Sequence, residues 1–117
     1  MKKIKITNYN DGFIKVYEEE QAKTSFGAKK NTKDTSNLNL IVKLAYYECY
    51  KRIQDFEFAQ ANSRTLTLKV KTRLYDKVKS EHKVIINNVL YDIINVDYDR
   101  VNREMYLYLE YVREVND

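Results

Sequence analysis

The sequence predicts a mainly β protein: a small antiparallel β-barrel or sandwich with a long early loop and one short helix. Three observations carry this. Apolar and polar residues alternate at period two over several short stretches, the pattern of strands with one covered face. Clusters of Asn, Asp and Gly separate those stretches as turns. Eleven tyrosines and many β-branched residues suit half-buried sheet surfaces. A length of 117 residues fits one domain, 1–117, with a single core.

In residues 2–7, Ile4 and Ile6 alternate with lysine and threonine. Residues 8–12 form a turn, where Asp11-Gly12 is the dipeptide that admits positive φ at both central positions of a tight hairpin. Residues 13–18 return as the partner strand. Residues 22–37 show neither helix nor strand period. Lys23, Lys29, Lys30 and Lys33 against one acid, Asp34, give this stretch a net +3. It is expected to be a flexible loop, of a length that is usually functional or disordered, and one that orders on a partner. Residues 40–47 form a strand with apolar residues on both parities: Leu40, Val42, Leu44 and Tyr46 on one, Ile41, Ala45 and Tyr47 on the other.

The region 46–62 fits either period. Phe56, Ala59 and Gln60 share a helical face with Ile53, which predicts a short helix at 55–61 closed by Asn62-Ser63. Residues 65–74 alternate strictly. Leu66, Leu68 and Val70 are predicted to point inward, with Thr67, Lys69, Lys71 and Arg73 wet. After a charged connection at 75–83 come a strand at 82–86, a two-residue Asn87-Asn88 turn and a returning strand at 89–97. A polar turn at 98–104 leads to the last strand, 105–112. Its Met105, Leu107, Leu109 and Tyr111 share one face, and Tyr106, Tyr108 and Glu110 the other.

Charge and composition limit the function classes. Residues 1–83 hold 18 basic and 10 acidic side chains, net +8, and residues 84–117 hold 3 and 7, net −4. No stretch approaches the ~18 apolar residues of a membrane helix, and the first residues lack the apolar core of a secretory signal. One cysteine, Cys49, excludes an intrachain disulfide framework and a cysteine-based zinc site. The expected setting is a reducing cytoplasm. His82, the only histidine, reads as a solvated strand-edge residue, and Cys49 as a small buried hydrophobe without a base. Asp97 and Asp99 read as turn residues rather than metal ligands. No phosphate loop, HExxH or GxSxG occurs. Neither enzyme activity nor a cofactor is expected. Lys69, Lys71 and Arg73 form a candidate basic contact strand. With the tyrosines, they make a small barrel that binds single-stranded nucleic acid the alternative reading.

From residue 64 to 112 the pattern resembles a known family. A basic alternating strand, TLTLKVKTRL, leads through a charged connection to HKVIINN, a tight turn, VLYDIINVD and the final MYLYLEYV. This resembles the head-closure, or head–tail joining, proteins of long-tailed bacteriophages, which carry an arginine-rich strand and an I-x-Y-x-G-x-x-Y-x-I-x-x-V run. Here that run is 84–96. Asn87 or Asn88 stands at the family's frequent glycine, and Tyr91, Ile93 or Ile94, and Val96 stand at its Y-x-I-x-x-V core. Two features depart from the family: no tryptophan precedes the alanine near Ala45, and the early hairpin is lysine-rich. The resemblance implies a virion component assembled in the host bacterial cytoplasm. It would form a ring of copies beneath the portal-associated adaptor, close the DNA channel and offer the tail-attachment surface to a tail terminator or other tail proteins. Packaged DNA is a candidate partner and a membrane is not. The long loop, with Lys23, Phe26, Lys29, Lys30 and Lys33, would be its channel or partner segment.

Overall fold

The computed structural model describes residues 9–19 and 37–115. It is mainly β, as the alternation predicts. Strands β1 (Gly12–Glu19) and β2 (Leu38–Glu48) are followed by the helix α1 (Ile53–Ala61). Then come β3 (Leu68–Arg73), β4 (Lys83–Ile86), β5 (Val89–Asp99) and β6 (Glu104–Glu114). All neighbours are antiparallel. The six strands make one sheet that closes on itself in the order β1-β2-β3-β6-β5-β4, with β4 pairing back onto β1. The predicted strand at 2–7 lies outside the described residues. So does the predicted loop at 22–37, apart from Asn37, and with it Lys23, Phe26, Lys29, Lys30 and Lys33.

The Asp11-Gly12 expectation is corrected. Only Gly12 has positive φ, at 132°. The Asp11 backbone N–H donates to the Tyr46 carbonyl at 3.1 Å, and its carboxylate accepts from the Glu48 N–H at 2.7 Å. A tight two-residue turn needs positive φ at both positions. Here the dipeptide instead extends the β1–β2 ladder. A Cβ on Gly12 would sit 3.3 Å from Tyr46 Cε1 in a backbone conformation that L side chains rarely adopt. Gly12→Ala is therefore expected to cost about 1–3 kcal/mol in chemical denaturation.

One parity of each strand fills the interior. Ile14, Val16, Val70, Val84, Met105, Leu107 and Leu109 are fully buried there, joined by Val78 from the connection before β4. Three bulges set which residues belong to this parity. In β2, Val42 pairs with Val16 and Leu40 with Tyr17, which leaves Ile41 as the extra residue. The extra residue flips the parity. Ile41 still packs on the core, while Leu40 is 56% exposed. This accounts for the apolar residues on both parities of β2. In β5, Ile93 pairs with Leu109 and Asn95 with Tyr108, which leaves Ile94 extra. Tyr91, Ile93 and Val96, spaced by two and then three, all reach the interior cluster because of that bulge. Val112 is the extra residue in β6. Asn87 and Asn88, at φ 49° and 64°, turn β4 into β5 as predicted.

The helix forms where predicted, but of the predicted face only Ala59 is buried. Asp55 and Ala59 are buried, whereas Ile53 is 74% exposed and Phe56, Phe58 and Gln60 also face solvent. The outer sheet surface beneath α1 offers Lys69 and two tyrosines, and a cation there needs a carboxylate opposite it. Ala59 packs with Leu66 and Tyr108, supported by Ile94 and Tyr106, as a small second cluster outside the closed sheet. Leu66 was expected inside; β3 starts only at Leu68, and Leu66 belongs to this outer cluster.

His82 is also corrected. It is buried, not solvated: its Nδ1 accepts from the Lys79 N–H at 3.0 Å and its own N–H donates to the Lys79 carbonyl at 3.0 Å. The connection before β4 folds over the end of the sheet, where Val78 is fully buried and the Tyr98 hydroxyl donates to the Val78 carbonyl. That covers the histidine.

Candidate interaction surfaces

The predicted basic contact strand is largely neutralised inside the molecule. Lys69 Nζ lies 3.0 Å from Asp55 Oδ2, with the two side chains 8% and 4% exposed. It stands 5.4 Å from the Tyr106 ring centre and 5.1 Å from that of Tyr108. Lys71 Nζ lies 3.8 Å from Glu104 Oε2, again with both side chains largely covered, and 5.4 Å from the Tyr47 ring centre. The same Glu104 oxygen accepts the Tyr9 hydroxyl at 2.7 Å. Buried charges persist only when paired, so neither lysine is presented to a partner. Of the three basic residues, Arg73 alone is exposed. The expectation of a wet, basic β3 face is overturned for Lys69 and Lys71.

These pairs are visible in the titration of the groups around them. Burial pushes the Asp55 carboxyl up, but hydrogen bonds from the Arg52 side chain and backbone and from Lys69 outweigh it. Asp55 therefore sits below the ordinary aspartate value. Burial, then the hydrogen bond to Glu104, raises the Tyr9 hydroxyl far above the usual tyrosine range. Burial also raises Tyr106 and Tyr108, and the nearby Asp97 charge adds to it in both. The Cys49 thiol is raised by burial against the pull of Lys71 and Lys69, which disfavours the nucleophilic thiolate. Asp99 caps its own turn, accepting from the Asn102 N–H at 3.1 Å and side-chain amide at 2.8 Å. Among the described residues no cluster of His, Cys, Asp or Glu is arranged for a metal, and no helix is long and apolar enough to cross a membrane.

Among the described residues, two outward-facing surfaces combine apolar side chains with charges that form no ion pair. On the α1 side, Ile53, Phe56 and Phe58 are exposed around Glu57, with Tyr50 89% exposed just before the helix. Asp97 is exposed on β5 opposite Tyr106, and its charge acts on both Tyr106 and Tyr108, the two tyrosines beside Lys69. On the outer face of β1 and β2, Phe13 pairs with Ala45, Lys15 with Lys43 and Tyr17 with Leu40. Lys43 Nζ lies 4.7 Å from the Phe13 ring centre. Phe13, Lys15, Leu40 and Lys43 are all exposed.

Sequence reading missed Asp55 and Glu104 as the partners of the strand lysines. Asp55 carried one usable signal. It stands three residues after the helix cap, where its carboxylate accepts the Arg52 N–H at 2.9 Å as capping acids do. Tyr91, Ile93 and Val96 lie in the interior, so their role here is packing. No protein-family model matches the chain, and no curated protein sequence does either.

Proposed function

We propose that the chain is a structural subunit of a tailed-phage head–tail connector. It forms a ring beneath the portal-associated adaptor, keeps packaged DNA in the head and presents a surface to tail proteins. It assembles in the host bacterial cytoplasm and stays in the virion, and it catalyses nothing. The resemblance over residues 64–112 supports the class. The observation that carries the reading is the outward apolar face of α1. Exposed aromatic and aliphatic residues grouped as Tyr50, Ile53, Phe56 and Phe58 suit protein contacts. The alternative, a stand-alone barrel gripping single strands along β3, is weakened because Asp55 and Glu104 already neutralise Lys69 and Lys71.

The test is deletion of the gene from a phage genome that carries it, followed by electron microscopy of the lysate. The expected result is tailless heads that have lost their DNA, with tails accumulating separately. Tailed, infectious particles in normal yield would overturn the reading.

A further inference from the structure

We infer that the α1 face of one copy docks on the outer β1–β2 face of the next, in a head-to-tail contact between non-identical surfaces. This rests on the assembly reading above and names the partner of the α1 face.

The argument starts from the charge left over after internal pairing. Lys15 and Lys43 stand directly opposite each other on neighbouring strands, both pointing outward. Like charges so placed, with Cβ atoms about 5 Å apart, destabilise a sheet. Neither lysine has an ion pair among the described residues. Their outward neighbours are Phe13, Tyr17, Leu40 and Ala45 on β1 and β2 and Ile85 and Lys83 on β4; none of these is a carboxylate, and Asp92, opposite Lys83, is already held by it. This face is cationic and carries exposed Phe13 and Leu40, and among the described residues no carboxylate forms an ion pair with Lys15 or Lys43.

The α1 side has the inverse composition. Glu57 sits between Phe56 and Phe58, and Asp97 stands on β5 opposite Tyr106, which packs on the cluster beneath α1; both acids are exposed and neither forms an ion pair among the described residues. The other carboxylates on this side, Asp55 and Glu110, are already held by Lys69, Arg52 and Arg64. Among the described residues, two acids without an ion pair thus face outward on one side, and two lysines without one on the other.

Their placement decides the symmetry. In the strand order β1-β2-β3-β6-β5-β4, the β1–β2 pair lies across the closed sheet from β6 and β5; α1 is seated over β6 at Tyr108, reaching Lys69 on β3 to one side and Ile94 on β5 to the other. Surfaces that complement each other from opposite sides of one molecule do not build a two-fold dimer. They build a heterologous chain of subunits, which becomes a ring if the rotation closes.

A charge-swap pair tests this by sedimentation velocity over a concentration series. Lys15→Glu with Lys43→Glu makes both surfaces acidic. Glu57→Lys with Asp97→Lys makes both basic. Each double variant alone is expected to lose self-association by at least about tenfold. An equimolar mixture is expected to recover it as alternating assemblies, and recovery should weaken with added salt. Circular dichroism checks that each variant folds, and the single variants Lys15→Glu and Glu57→Lys replace any double variant that does not. Undiminished self-association of either variant alone, failure of the mixture to recover, or a wild-type protein that stays monomeric throughout would overturn the inference. The connector reading is scored separately. If both variants complement the gene deletion, the interface is wrong and the connector role stands. If the deletion leaves particles normal while the swap behaves as expected, the interface stands and the connector role falls.

Discussion

Asp55→Ala is expected to destabilise the fold by about 3–5 kcal/mol, because it leaves the Lys69 ammonium buried without its counter-charge. Asp55 also accepts the Arg52 backbone N–H at 2.9 Å and the Arg52 guanidinium at 3.1 Å, so α1 loses its N-terminal anchor in the same step. Those contacts lie on a 61% exposed arginine and add little; the stranded lysine dominates. Adding Lys69→Met to Asp55→Ala removes the orphaned charge and supplies apolar contact to Tyr106 and Tyr108, so the double variant should regain most of the loss. Urea denaturation of the three proteins measures this, and a double variant no more stable than Asp55→Ala would rule out the buried charge as the cause. The pH dependence has a definite sign. The folded-state pKa of Asp55 is depressed below its ordinary value of 3.8. Its contribution is therefore complete above that value and is lost as pH falls towards the folded-state pKa. Wild-type stability should drop on acidification below about pH 4, and the drop should be shallower in Asp55→Ala.

The same pair shows where the sequence is readable and where it is not. Alternation in Leu68–Arg73 correctly puts Lys69 and Lys71 on the outer face. It is silent on whether another element covers that face, and α1 does so for Lys69. The helix itself was legible from the spacing of Phe56 and Ala59. Its orientation was not, because apolar content argues for burying Ile53 and Phe56, while the Lys69 ammonium requires Asp55 instead. The Asn87-Asn88 turn and the β4–β5–β6 meander were legible because they are local. The pairing of β1 with β4, which closes the sheet, joins segments about seventy residues apart and leaves no local signature. The bulges at Ile41 and Ile94 are equally hidden, since one extra residue changes parity without changing composition. The uneven charge along the chain was visible in the numbers alone. The fold turns part of it into geometry: among the described residues, Lys15 and Lys43 on β1–β2 and Glu57 and Asp97 on α1 and β5 form no ion pair.

Those bulges set up the second large effect. Leu107 is fully buried at the centre of β6, paired with Val70 on one side and Val96 on the other. Leu107→Ala removes methyl and methylene groups from an interior enclosed by strands on all sides, where the surroundings cannot collapse into the gap. A cost of about 3–4 kcal/mol is expected, within the range for buried leucines, with the melting temperature falling by about 10–20 °C. Leu40→Ala is the matched comparison. By simple alternation Leu40 shares a face with Val42 and Leu44 and would lose as much. With Ile41 as the extra residue it points outward, and its truncation should change the stability of the dilute monomer by no more than about 0.5 kcal/mol. Thermal denaturation of the two variants side by side measures the difference. Equal losses would mean that β2 runs without its bulge, with Leu40 facing the interior beside Val42, Leu44 and Tyr46 and the observed pairing of Leu40 with Tyr17 lost.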